Sequence, residues 1–131
     1  MASGELKAFL SRNGVGEIMF RPFLPPRQWR VGKNREILIS EIGQLSLGVN
    51  EQVLISGLEG PAYEVVRKAW GFYAAPSLDS RLPSYGLTGL VVANDAGRHY
   101  LMIVDNSRYD EFLSYCTRES LEITHDFSNR A

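Results

Sequence analysis

The chain has 131 residues, of which 44% are hydrophobic and 22% are charged, with a formal net charge of −1. This balance excludes a disordered chain and is typical of a single domain over residues 1–131. The one cysteine, Cys116, excludes a disulfide within the chain. No apolar run has the roughly 20 residues that a membrane span needs, and the chain start lacks a signal-peptide pattern. We therefore expect a cytoplasmic protein that does not bind membranes.

Basic and acidic residues are separated along the chain. Residues 1–35 carry seven basic and two acidic residues, whereas residues 36–131 carry seven basic and thirteen acidic residues. The two parts therefore have net charges of +5 and −6. Such asymmetry indicates a contact surface for an anionic partner or for a second copy of the chain. It is equally compatible with a basic segment that folds across the acidic part of its own domain.

The first fifty residues are predicted to form one short helix and several strands. Three prolines in segment 21–26 remove three backbone donors, so this segment is predicted to be an extended edge or a loop. A helix is predicted over residues 5–12, and strands are predicted over residues 17–20, 29–31 and 36–47, the last of them bent or divided at Gly43.

Residues 52–73 are predicted to form a strand followed by a long helix. The mostly apolar run 52–56 is typical of a central strand. Pro61 suits the first position of a helix, and apolar residues then recur at helical spacing as far as Tyr73. Polar residues, among them Glu64, fill the opposite face of this predicted helix.

The remainder of the chain is predicted to form a hairpin, a helix and a last strand. The turn residues 94–97 separate strands over 88–93 and 98–104, and a helix and a strand follow over 107–116 and 121–127. The order over residues 52–127 is then βαββαβ, which is that of a ferredoxin-like fold. We therefore predict an α+β chain with a ferredoxin-like core. The N-terminal helix and extra strands would extend or cover its antiparallel sheet.

The segment 74–86 is a long connection with many polar residues. Ordered loops of this length carry binding or catalytic residues disproportionately often. Arg81 can form two parallel hydrogen bonds to a carboxylate or a phosphate, and Asp79 and Tyr85 can position or exchange a proton. We therefore take Asp79, Arg81 and Tyr85 as candidate ligand-binding residues. A simpler interpretation is that Asp79 and Arg81 pair with each other.

A short stretch of the same region resembles a known family. Ser80-Arg81 and then Gly86-Leu87-Thr88-Gly89-Leu90 are similar to the segment that enters the hairpin of blue-light flavin (BLUF) domains, which use a ferredoxin-like sheet. The asparagine that this family has between the arginine and the glycine is missing here. No glutamine follows over residues 98–104 either. The resemblance therefore concerns the fold, and no flavin or other cofactor is predicted.

The segment 20–35 combines arginines with aromatic residues. Arginine and tryptophan dominate the binding energy of protein interfaces, and the same residues can contact nucleic acid. The candidate interface residues are Arg21, Phe23, Arg27, Trp29 and Arg30. The aromatic residues among them can instead be core residues that fold over the sheet.

These features favour a non-catalytic binding module that acts through protein contacts, as a homodimer or with a protein partner. One alternative is a small enzyme or sensor that binds an anionic metabolite at loop 77–85. Nucleic-acid binding through segment 20–35 is a further alternative, although the acidic part of the chain opposes it. The two histidines lie on different predicted strands, away from Cys116, so neither a metal site nor a catalytic residue is predicted.

Overall fold

The computed structural model describes residues 19–128. The chain divides into two compact units, one that ends at Val49 and one that begins at Asn50. This boundary falls between the first fifty residues and the predicted core over 52–127. The helix predicted over residues 5–12 lies outside the described residues, and the single-domain organisation stays a prediction.

The first unit contains a two-stranded antiparallel sheet, which we call the ribbon. Strand β1 (Phe20–Val31) pairs with β2 (Ile37–Leu45), and the register shifts between Pro22 and Arg27. Pro25 and Pro26 in this bulge have no backbone N–H to donate to β2, and the Leu24–Pro25 peptide is cis. The segment 21–26, predicted to be an extended edge or a loop, is therefore part of strand β1 and contains its bulge.

Gly43 allows the two strands of the ribbon to approach beside the bulge. A Cβ atom at this position would lie 2.6 Å from the carbonyl oxygen of Arg21 and would overlap the Phe20 ring. A glycine is therefore required here by the close approach of backbone and ring, and β2 continues through it as one strand.

The second unit begins with a three-stranded antiparallel sheet. Its strands are β3 (Gln52–Ile55), β4 (Tyr63–Lys68) and β5 (Gly71–Ala74), in the order β3-β4-β5. The prediction of a helix from Pro61 to Tyr73 is therefore wrong, and β3 lies at an edge rather than at the centre of its sheet.

The residues of β4 and β5 explain why strands form where a helix was predicted. Val65 and Val66 are β-branched, and the aromatic Phe72 and Tyr73 also favour strands. Adjacent valines place one side chain on each face of a sheet, a pattern that over a few residues also fits helical spacing. Gly71 has a φ of 147°, which breaks a helix and suits the tight turn between β4 and β5.

A second three-stranded antiparallel sheet follows. Strand β6 (Leu87–Ala93) lies between β7 (His99–Asp105) and β8 (Glu122–Asp126). The turn from β6 to β7 is held by Asn94, whose Oδ1 accepts hydrogen bonds from the backbone N–H groups of Ala96 and Arg98, each at 3.0 Å. The predicted hairpin and the predicted last strand are confirmed.

Two short helices complete the described part of the second unit. Helix α1 (Arg81–Ser84) precedes β6, and α2 (Tyr109–Glu119) connects β7 to β8 after a 3₁₀ turn at Asn106–Arg108. The chain is therefore α+β, and all its described strand pairs are antiparallel. The ferredoxin-like core is not confirmed, because β4 and β5 replace its first helix and the strands form separate sheets.

The core of the second unit lies along β6. Leu90 and Val92 are fully buried, Leu82 of α1 and Thr88 are each 1% exposed, and Cys116 of α2 is also buried. Leu90 and Val92 lie on one face of β6, and Gly89 lies on the opposite face. The side chains of Leu78 and Leu82 cover Gly89, where a Cβ atom would meet their Cδ2 atoms at 3.1 and 3.4 Å. Strand β6 is therefore covered on both faces.

We expect Leu90→Ala to lower the free energy of unfolding by about 2–5 kcal/mol, because it removes buried methyl groups and leaves a cavity. Leu101→Ala in the neighbouring strand is the matched control, since Leu101 is 54% exposed. Urea denaturation followed by circular dichroism measures both. Equal losses in the two variants would show that β6 is not the centre of the core.

Burial raises the pKa of the Cys116 thiol. The unfolded thiol ionises first as pH rises above about 8.5, so the unfolded state binds fewer protons and the chain becomes less stable. We expect the urea midpoint of the wild type to fall between about pH 7.5 and pH 9.5 by more than that of Cys116→Ala. Parallel midpoints for the two proteins over this range would contradict the raised pKa.

Candidate functional site

The loop before β6 brings two of the three predicted ligand-binding residues together. Arg81 and Tyr85 lie four residues apart, one turn of α1, and therefore on the same side of it. The Arg81 Nη2 atom donates a hydrogen bond to the Tyr85 hydroxyl at 2.6 Å, and the guanidinium carbon lies 5.7 Å from the centre of the Tyr85 ring. The two side chains form one unit.

The carboxylate beside this pair belongs to Glu64 of β4. The Tyr85 hydroxyl donates to Glu64 Oε2 at 3.0 Å, and Arg81 Nη2 lies 3.4 Å from Glu64 Oε1. The Glu64 side chain is only 14% exposed, whereas that of Arg81 is 54% exposed. We call Glu64, Arg81 and Tyr85 the polar triad.

The backbone around α1 fixes the position of Arg81. Its N–H group donates to Ser77 Oγ at 2.8 Å, and its carbonyl oxygen accepts a hydrogen bond from Ser84 Oγ at 2.6 Å. Its second guanidinium nitrogen, Nη1, lies 3.5 Å from the carbonyl oxygen of Ala75. Both ends of the loop therefore contribute to the orientation of the guanidinium.

The charge of the triad is balanced within the chain. A largely buried carboxylate is costly unless it is paired and hydrogen-bonded, and Glu64 has both kinds of partner. These contacts connect the segment before β6 to strand β4 of the sheet β3-β4-β5. An external anion would have to compete with Glu64 for the inner face of Arg81.

Sequence reasoning placed Asp79 in this site and missed Glu64. Asp79 is an exposed residue of the turn before α1, whereas Glu64 supplies the carboxylate of the triad. Glu64 was assigned to the polar face of a helix that does not exist. In a strand over 63–66, side chains alternate between the two faces, so Glu64 lies on the face opposite to Tyr63 and Val65. A strand prediction would therefore have distinguished Glu64 from its neighbours.

Three of the five candidate interface residues come together at the bulge of the ribbon. The guanidinium carbons of Arg21 and Arg27 lie 5.3 and 4.3 Å from the centre of the Phe23 ring. Arg27 also forms an ion pair with Glu41 at 2.7 Å, and Arg21 donates to Gln44 Oε1 at 2.9 Å. Phe23 is therefore flanked by two cations, each of which has a further partner on β2.

The other two candidates lie on opposite faces of the ribbon. Trp29 pairs with Ile39 in the register, next to Val31 and Ile37, so these apolar side chains share one face. Arg30 points to the other face and donates to the carbonyl oxygen of Glu36 at 3.2 Å. Trp29 is 46% exposed and Ile39 is 38% exposed, so the apolar face of the ribbon is only partly covered.

Metal sites and membrane-spanning helices are two further kinds of functional feature that residues 19–128 could contain. In this range no group of three or more His, Cys, Asp or Glu side chains is placed to hold a metal ion. None of the helices there combines the length and the hydrophobicity needed to cross a bilayer. Comparisons of the chain with family models, with curated proteins and with solved structures gave no match.

We expect Tyr85→Phe to destabilise the second unit by about 1–3 kcal/mol, because a largely buried carboxylate loses a hydrogen-bond donor. Tyr73→Phe is the control, since Tyr73 is 44% exposed and lies outside the triad. Both variants are compared with the wild type by urea denaturation. If Tyr85→Phe is no less stable than Tyr73→Phe, the triad does not anchor the loop.

Proposed function

We propose that the chain is a non-catalytic interaction module that associates with a second copy of itself through the apolar face of the ribbon. The partly exposed pair Trp29 and Ile39 carries this proposal. A two-stranded antiparallel sheet is marginally stable by itself, so an apolar face on such a sheet gains stability when another surface covers it. Tryptophan is also among the residues that dominate interface energies.

Charge complementarity favours a second copy as the partner. Residues 19–49 carry five basic and two acidic residues, a net charge of +3. Residues 50–131 carry seven basic and eleven acidic residues, a net charge of −4. A chain with oppositely charged parts can pair reciprocally, with the ribbon of each copy against the acidic part of the other.

The two alternative functions receive less support from the same residues. For an anionic metabolite, Arg81 is the required cation, and its inner face already contacts Glu64 and Tyr85. For nucleic acid, Arg21 and Arg27 are the natural phosphate contacts, and both have partners on β2. A protein surface can bury the Trp29 face without displacing any of these contacts.

The first test is the mass of the protein in solution. We expect light scattering after size exclusion, or sedimentation, to show a dimer over roughly 1–500 µM protein for the wild type. Trp29→Ala should weaken this association by about 30-fold or more, because it removes the central aromatic side chain. Leu38→Ala is the control, since Leu38 is 48% exposed and lies on the opposite face of the ribbon.

The salt dependence of the association tests the charge argument. The dimer should weaken between about 50 mM and 500 mM salt, because screening reduces the attraction between exposed charges. A wild type that stays monomeric at every concentration would overturn the proposal. Equal weakening by Trp29→Ala and Leu38→Ala would also overturn it, and salt-dependent binding of a nucleic-acid duplex by a monomer would favour the nucleic-acid alternative.

A further inference from the structure

A cleft of about 330 Å³ opens within the second unit, and none of its lining residues belongs to the triad. Its apolar lining comes from both sheets of the second unit and from the loop between β3 and β4, and two acidic residues also line it. The apolar residues include Ile55, Pro61, Leu87 and Ile103, and the acidic residues are Glu59 and Asp105. The volume is within the lower range of pockets that hold small organic molecules, about 300–1,000 Å³.

The charge of the lining has one sign. Among the described residues, no lysine, arginine or histidine lines the cleft, whereas two acidic residues do. Anions are therefore disfavoured, and a cation with an apolar body matches both the rim and the walls. Tyr63 also lines the cleft, and aromatic rings attract organic ammonium groups.

Asp105 is held in place by its contacts with Ser107. Its Oδ1 atom accepts hydrogen bonds from the backbone N–H and the hydroxyl of Ser107, at 3.0 and 2.8 Å. Its Oδ2 atom faces the loop at Gly60, where a Cβ atom would lie only 3.2 Å from it. Gly60 stands between Glu59 and Pro61, which both line the cleft, so Asp105 lies beside the loop that forms this side of the cleft.

We propose that this cleft binds a small organic amine in its protonated form. The ammonium group lies against the carboxylates of Asp105 and Glu59, and the apolar body lies against Ile55, Leu87 and Ile103. Because Ser107 already fixes the Asp105 side chain, little side-chain entropy is lost when the amine binds. The proposal concerns a different surface from the ribbon and does not depend on self-association.

The test uses three probes of similar shape and different charge. 2-Phenylethylamine is cationic, 2-phenylethanol is neutral and phenylacetate is anionic at neutral pH. We expect chemical-shift titrations to show the amine binding at least about 10-fold more tightly than the alcohol, with no binding of the acid. Equal affinities for the three probes, or no binding of the amine, would overturn the proposal.

Two substitutions connect the binding to the carboxylates. Asp105→Asn removes the charge but keeps the Oδ1 acceptor for Ser107, so the fold is retained, and amine affinity should fall about 10-fold. Glu59→Gln in the exposed loop should also lower the affinity for the amine. Asp110→Asn, in the first turn of α2 and outside the cleft, should leave the affinity unchanged.

The control and a lysine analogue complete the design. If Asp105→Asn and Asp110→Asn lower the affinity for the amine equally, binding depends only on the overall charge of the protein. This result would overturn the proposal. Nα-acetyl-lysine amide presents the same ammonium group on a peptide unit. If it binds more tightly than 2-phenylethylamine, the cleft receives a protein side chain, and the proposal of a small free amine is wrong.

Discussion

The burial of β6 on both faces is the constraint on which the second unit depends. One face carries Thr88, Leu90 and Val92, and the opposite face is closed by Leu78 and Leu82 over Gly89. A Cβ atom at Gly89 would be in tight contact with both leucines, so the loop before β6 packs as closely as it does because this residue is glycine. The length of that loop is therefore explained by a packing role.

The polar triad follows from this packing. Once Leu82 is buried under the sheet, Arg81 and Tyr85 are carried to the surface of α1 that meets Glu64. The hydrogen bonds of the triad then satisfy a largely buried carboxylate and connect the segment before β6 to β4. A polar loop of unusual length had suggested ligand binding, but the contacts of Arg81 and Tyr85 are also those of a structural anchor.

Local sequence signals predicted the elements whose residues have one clear period or a specific turn. The Asn94–Gly97 turn and the strands on each side of it were correct because asparagine and glycine fix that turn chemically. The prediction of a helix from Pro61 to Tyr73 was wrong because a run of adjacent valines and aromatic residues fits both helical and strand spacing. Because of this error, Glu64 was not among the predicted site residues, and the predicted order of helices and strands became that of a ferredoxin-like fold.

The separation of charge along the chain acquires a physical meaning from the two surfaces. In the ribbon, Arg21 and Arg27 flank the Phe23 ring at the bulge and have partners on β2, so they do not form an open anion site. In the cleft, Asp105 and Glu59 are the charged residues among the described residues that line it. The two proposals therefore assign partners of opposite charge to the two surfaces, with apolar contact as the main source of the binding energy.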